Sequence, residues 1–127
     1  MKNKQKKALY WLIVIVVLGG GISAITYFNN QPGQYDDFAN CLSEKGATFY
    51  GAYWCPACNQ QKSLFGKSAG AIPYTECSLP NRSGQNELCT EADIQSYPTW
   101  EFADGEKVIG VMTLQELSDK VGCELST

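Results

Sequence analysis

The sequence predicts a small α/β domain carried behind one membrane-spanning helix. Three observations predict it: a 21-residue uncharged run near the N-terminus, an alternation of helix and strand signals after residue 35, and a total of 127 residues. Setting aside residues 1–35 leaves 92, enough for one domain with one core.

Lys2, Lys4, Lys6 and Lys7 make residues 1–7 a basic tail, and the run from Ala8 to Phe28 follows. As a helix this run would be about 31 Å long, close to the ~30 Å of bilayer hydrocarbon. No basic residue follows until Lys45, so the positive-inside rule puts the tail in the cytoplasm and the domain outside, in a periplasm-type space. Tyr10, Trp11, Tyr27 and Phe28 stand near the two ends, where aromatic rings favour the interface. A cleavable signal peptide is the competing reading, since Gly21-Ile22-Ser23-Ala24 offers small residues around a cut. The length of the run favours a retained single-pass anchor over 8–28. Both readings export the domain to where disulfides persist.

Residues 29–35 (NNQPGQY) lack apolar periodicity and read as a linker, leaving the domain at 36–127. A helix is predicted over 36–45, with Asp36 and Asp37 at its start, Phe38, Cys41 and Leu42 on one face, and Gly46 stopping it. Thr48 to Trp54, rich in aromatics, reads as a strand buried on both faces. A helix from about 56 to 69 follows, with Pro56 in its first turn, Leu64 and Phe65 on its apolar side and Gly70 after its end. Ile72 to Cys77 is a short strand before the polar loop LPNRSGQNE, and Thr90 to Asp93 reads as a capping box opening a helix that ends before Pro98. Thr99 to Ala103 and Glu106 to Val111 flank the hairpin signal Asp104-Gly105. A second capping box, Thr113 to Glu116, opens a last helix lined by Leu114, Leu117 and Val121. The order is α-β-α-β-α-β-β-α.

Composition narrows the chemistry. The domain holds six basic residues against thirteen acidic ones, which argues against a nucleic-acid partner. With six cysteines and no histidine, Cys-His dyads, Ser-His-Asp triads and Cys/His zinc fingers are excluded. Thiol chemistry remains. Cys55-Pro56-Ala57-Cys58 falls where a buried strand gives way to a helix, so the first sulfur sits at a helix N-terminus whose N–H groups and dipole favour negative charge. Cys55 would attack or release a substrate sulfur, and Cys58 would resolve the mixed disulfide. A zinc site would want a second close knuckle, and the other cysteines at 41, 77, 89 and 123 do not offer one; no metal is expected. A purely structural Cys55–Cys58 bridge would close too short a loop to remove much unfolded-state entropy.

The segments YGAYWCPAC and, forty residues later, YPTW before a hairpin and helix resemble the thioredoxin superfamily. The resemblance implies a thioredoxin-like fold, a central mixed sheet flanked by helices. It matches Pro98 to that family's cis-proline, flanked by Tyr97 and Thr99; read by itself, Pro98 could equally be a trans proline ending a helix. Trp54, Pro56, Tyr97, Pro98 and Thr99 are then the expected substrate groove. Tyr53, Trp54 and Trp100 are otherwise ordinary core aromatics.

FANCLSEKGATFYGAYWCPACNQQKSLFG, PYTECS, IQSYPTW and LSDKVGC narrow the likeness further. Together they resemble the thioredoxin-like domain fused to bacterial and plant homologues of vitamin K epoxide reductase. That resemblance implies an enzyme, a thiol-disulfide oxidoreductase exchanging electrons between exported cysteine-containing proteins and a quinone-reducing membrane partner. The chain itself would need no cofactor, the quinone entering only through the partner. Two departures stand out: Phe49 occupies the place of a buried acid common in the superfamily, and Pro56-Ala57 lacks the histidine frequent in strong oxidants.

With Cys55 and Cys58 paired, the other four cysteines permit three connectivities. Cys77 and Cys89 bracket the polar loop, a closure contributing about 3 kcal/mol in the chain-entropy model. That would leave Cys41 for Cys123, while a relay role for Cys77 or Cys89 is the functional alternative. The leading reading is an oxidant that forms disulfides in exported proteins. A disulfide reductase or isomerase would use the same residues, with oxidants near about −120 mV and thioredoxin near about −270 mV. A redox-inert membrane adaptor is the reading from another class.

Overall fold

The computed structural model describes residues 2–126; Met1 of the basic tail and Thr127 at the end of the domain lie outside the described residues. The chain divides into two units, Met1–Gln31 and Pro32–Thr127. The first is helix α1 (Lys2–Asn29), which buries none of its residues and is long and apolar enough to cross a membrane. It runs one residue into the segment read as linker.

In the second unit, α2 (Asp36–Glu44), β1 (Thr48–Gly51), α3 (Pro56–Leu64), β2 (Tyr74–Glu76), α4 (Glu87–Glu91), β3 (Thr99–Glu101), β4 (Lys107–Ile109) and α5 (Leu114–Val121) follow in order. The sheet order is β2-β1-β3-β4. β1 runs parallel to β2, pairing Phe49 with Tyr74, and antiparallel to β3, pairing Phe49 with Trp100. β3 and β4 form the hairpin, turning through Gly105 at φ 82°. This mixed sheet with flanking helices is the α/β architecture the alternating pattern predicts.

Strand alternation covers both faces of β1. Phe49 joins the main core with Phe38, Leu42, Phe65, Trp100, Phe102 and Leu117. Tyr50 faces a smaller cluster of Cys77, Cys89 and Ile94. Two disulfides tie the periphery down: Cys41–Cys123 joins α2 to the segment after α5, and Cys77–Cys89 closes the loop after β2.

Several boundaries differ from the sequence expectation. The strand expected to reach Trp54 stops at Gly51, because the chain turns there to let the Cys55 N–H donate to the Ala52 carbonyl at 3.0 Å. Tyr53 is consequently exposed rather than core. The helix expected to reach residue 69 ends at Leu64; Gly66 takes a left-handed φ of 54° and a 3-10 turn over Gly66–Ala71 continues. Its buried side is Cys58 and Gln61 with Phe65 at the C-cap, whereas Leu64 faces outward. The Thr90 capping box does not form, because Asn86 caps α4 first, accepting the Cys89 N–H at 3.0 Å. The Thr113–Glu116 box is present, and Gly122 ends α5 at φ 72°.

Candidate active site

Pro56 at the first position of α3 fixes the helix start without leaving an N–H unpaired. Cys55 is thereby the N-cap, and its sulfur accepts the Cys58 N–H at 3.2 Å. Orphan N–H groups at a helix start are satisfied best by an anionic acceptor. The Cys55 thiol also donates to the Tyr97 carbonyl at 3.8 Å, across the cis Tyr97–Pro98 bond that precedes β3. Cys55 and Cys58 are the free cysteines among the described residues.

The two sulfurs live in different surroundings. Cys58 is fully buried, while Cys55 keeps 5% of its surface. Burial pushes the Cys58 thiol up to about 12, with Cys55 adding to the rise through its hydrogen bond and charge. A backbone contact from Ala52 and the charge of Lys62 pull the other way. A proton is therefore held firmly on Cys58, and Cys55 is the more exposed of the two cysteines.

Behind Cys58 lies Gly51, whose missing side chain leaves room for both the thiol and the Tyr74 ring. The Tyr74 hydroxyl donates to Glu76 at 2.6 Å, and the Lys62 ammonium sits 3.6 Å from the ring centroid. Burial is the main reason the Tyr74 phenol is held far above its ordinary range, Glu76 and both cysteine sulfurs adding to it.

Residues expected in the groove divide into two sets. Trp54 and Tyr97 are half-buried and meet edge to face with ring centroids 6.1 Å apart. With exposed Pro56 they frame the approach to Cys55. Pro98 and Thr99 are buried instead. The Thr99 hydroxyl donates to the Ser96 carbonyl at 2.8 Å, and its backbone pairs with both β1 and β4, so Thr99 supports the groove from below and is not part of its surface.

Sequence reasoning missed Gln61. It is fully buried one turn beyond Cys58. Its Nε2 donates to the Met112 carbonyl at 2.9 Å, while its Oε1 accepts the Trp100 indole N–H at 3.1 Å and the Met112 N–H at 2.7 Å. One amide thus fixes α3 against β3 and the segment before α5. A polar residue three positions after Cys58, on the face that buries that thiol, was the available signal.

Among the described residues no cluster of His, Cys, Asp and Glu could hold a metal ion. No protein-family model matches the chain. Over 93 residues the chain is 39% identical to thiol-disulfide oxidoreductase LTO1 of Arabidopsis thaliana, an alignment that takes in 68% of this chain and 24% of the plant protein. The chain thus spans about a quarter of that relative's length, and the shared stretch relates it to a thiol-disulfide oxidoreductase.

Proposed function

We propose that this chain is a membrane-anchored thiol-disulfide oxidoreductase that works outside the cytoplasm and forms disulfides in exported proteins. The observation that carries the proposal is the Cys55 sulfur, capping α3 against the Cys58 N–H and facing the Tyr97 carbonyl. The oxidised form would carry a Cys55–Cys58 disulfide. A substrate thiolate attacks the Cys55 sulfur, the Cys55–Cys58 bond breaks, and Cys58 leaves with the electron pair and takes up a proton. The substrate's second thiolate then attacks the substrate sulfur of the mixed disulfide. A disulfide forms in the substrate and Cys55 departs as a thiolate onto the waiting N–H.

The protonated state of Cys58 lengthens the life of the mixed disulfide. An unprotonated Cys58 would attack the mixed disulfide and return the substrate reduced; a thiol held up to about 12 does so slowly. Two electrons and one proton are left on the pair, as the Cys55 thiolate and the Cys58 thiol. A vitamin K epoxide reductase-like quinone reductase in the same membrane would remove them. The basic tail before α1 supports a cytoplasmic N-terminus, placing the domain on the outer side.

The test is trapping in cells. Cys58→Ser should accumulate mixed disulfides between Cys55 and exported proteins, and Cys55→Ser should accumulate none. Equal trapping by both variants overturns the assignment. An impermeant thiol reagent, applied to intact cells whose outer compartment it reaches, should label the reduced protein if the domain lies outside.

A further inference from the structure

Beside the dithiol, the loop between Cys77 and Cys89 is built in more detail than a connection requires. Its ends are joined by the disulfide, by a bridge between Ser78 and Gln85, and by the Leu79 N–H donating to the Gly84 carbonyl at 2.8 Å. It is also fastened to both groove aromatics. The Trp54 indole N–H donates to the Ser78 hydroxyl at 2.8 Å, and Gln85 Nε2 donates to the Tyr97 hydroxyl at 2.9 Å. At its tip Asn81 and Arg82 both adopt left-handed backbone, at φ 57° and 55°. Neither is glycine, and such conformations persist where surrounding structure holds them, often at ligand clamps.

The outcome of that geometry is the place it gives Arg82. Its guanidinium carbon lies 5.3 Å from the centroid of the Trp54 ring, and Trp54 is the residue before Cys55. Arg82 is the single arginine of the chain, in a domain with thirteen acidic residues. Among the described residues Arg82 takes part in no ion pair. A guanidinium held over an aromatic ring by a cation–π contact keeps N–H groups with which to hold a carboxylate through two parallel hydrogen bonds.

We infer that Arg82 and Trp54 form a subsite that takes an acidic side chain flanking the cysteine of a substrate, so that the enzyme prefers thiols in acidic sequence. The inference rests on the thiol-disulfide reading above and adds a specificity determinant to it. Such a subsite gives a protein with an acidic surface one local point of attraction for acidic segments, next to the sulfur that must be reached. Its range is short, because salt screens an exposed charge within about 8–10 Å.

The experiment uses the oxidised full-length protein in detergent micelles and three single-cysteine peptides that differ only in carrying Glu, Gln or Lys two residues from the cysteine. Rates of mixed-disulfide formation are measured for wild type, Arg82→Gln, Arg82→Lys and Arg82→Glu. Taking each variant's ratio of rates against wild type cancels the peptides' own thiol reactivity. Circular dichroism confirms that each variant is folded. An exposed pair of this kind corresponds to about a twofold to fivefold effect. Relative to Gln, the Glu peptide should lose that advantage in Arg82→Gln, keep part of it in Arg82→Lys and be disfavoured in Arg82→Glu, where Lys gains. Raising the salt to 1 M should flatten the wild-type preference. Unchanged peptide ratios in Arg82→Gln and Arg82→Glu overturn the subsite while leaving the oxidoreductase reading intact. Absence of exchange with every peptide overturns that reading, and the subsite with it.

Discussion

Replacing Gly51 with alanine tests the packing behind the thiols. Gly51 ends β1, and a Cβ there would stand 2.9 Å from Tyr74 Cε2 and 3.0 Å from Cys58 Sγ. Contacts of this type favour about 3.5–4.0 Å, so ring edge and sulfur would each have to retreat by about half an ångström or more. Neither has room. Cys58 is fully buried, and the Tyr74 ring is held by Phe49 at 5.2 Å between centroids, by its bond to Glu76 and by Lys62 above it. The φ of Gly51 is not left-handed, so the penalty comes from crowding and not from the backbone.

Overpacking of this kind costs about 1–3 kcal/mol. For a domain of this size that lowers the thermal midpoint by roughly 4–24 °C. The assay is urea unfolding of the reduced full-length protein in micelles, followed by tryptophan fluorescence; the midpoint should fall with the slope unchanged. Tyr74→Leu removes one of the two obstructing groups. The Gly51→Ala/Tyr74→Leu double variant should therefore lose less than the sum of the single losses, by about 0.5–3 kcal/mol. An unchanged midpoint in Gly51→Ala, or strictly additive losses, would refute the reasoning.

Gln61→Leu leaves the Trp100 N–H and both Met112 backbone groups without partners, each costing about 1–3 kcal/mol; the reduced protein should lose roughly 3 kcal/mol or more by urea titration, and a loss under about 1 kcal/mol contradicts the hub assignment. The Cys58 thiol is held up to about 12 when folded, against 9.0 in an unfolded chain, so the unfolded state releases this proton first as pH rises. The stability it confers is complete below about pH 9 and is lost as pH climbs towards 12. Measured as unfolding midpoint against pH, Cys58→Ser should show a shallower decline across that window, and identical slopes would contradict the shift.

The fold was legible because its signals are local. Caps, an Asp-Gly turn, apolar runs and a charge-free span each lie within a few residues of the element they predict. What escaped the sequence depends on distant partners. Gln61 reads as a surface residue of a short helix until Trp100 and Met112, 39 and 51 positions away, arrive at its amide. Asn86 displaced Thr90 as a cap because the disulfide and the Ser78–Gln85 bridge fix where the loop returns. The dithiol was legible from Cys-x-x-Cys before a helix, but the role of Pro98 came through resemblance alone, and the contact of Cys55 with the Tyr97 carbonyl emerged only from the fold. Thr99, placed in the groove by adjacency to Pro98, turned inward because strand pairing claims its backbone on both sides.

Charge around the sulfurs follows from what the core beneath them holds. Phe49, which pairs with Tyr74 across the parallel strands, contributes no ionisable group beneath the thiols. The nearest ones lie on the next strand and the next helix turn. Tyr74 stays protonated and spends its proton on Glu76, whose other oxygen accepts the Ser78 N–H at 2.8 Å. That carboxylate is thereby satisfied on both oxygens and has little reason to act as a base towards Cys58. Lys62, resting over the ring of the same phenol, is the charge that favours a Cys58 thiolate. The result is an asymmetric pair: Cys55 has a backbone N–H ready for its negative charge, and Cys58 has burial against it with one lysine in partial compensation. Negative charge is thus offered a donor at Cys55 and opposed by burial at Cys58, and that asymmetry is what separates the two cysteines in the trapping experiment.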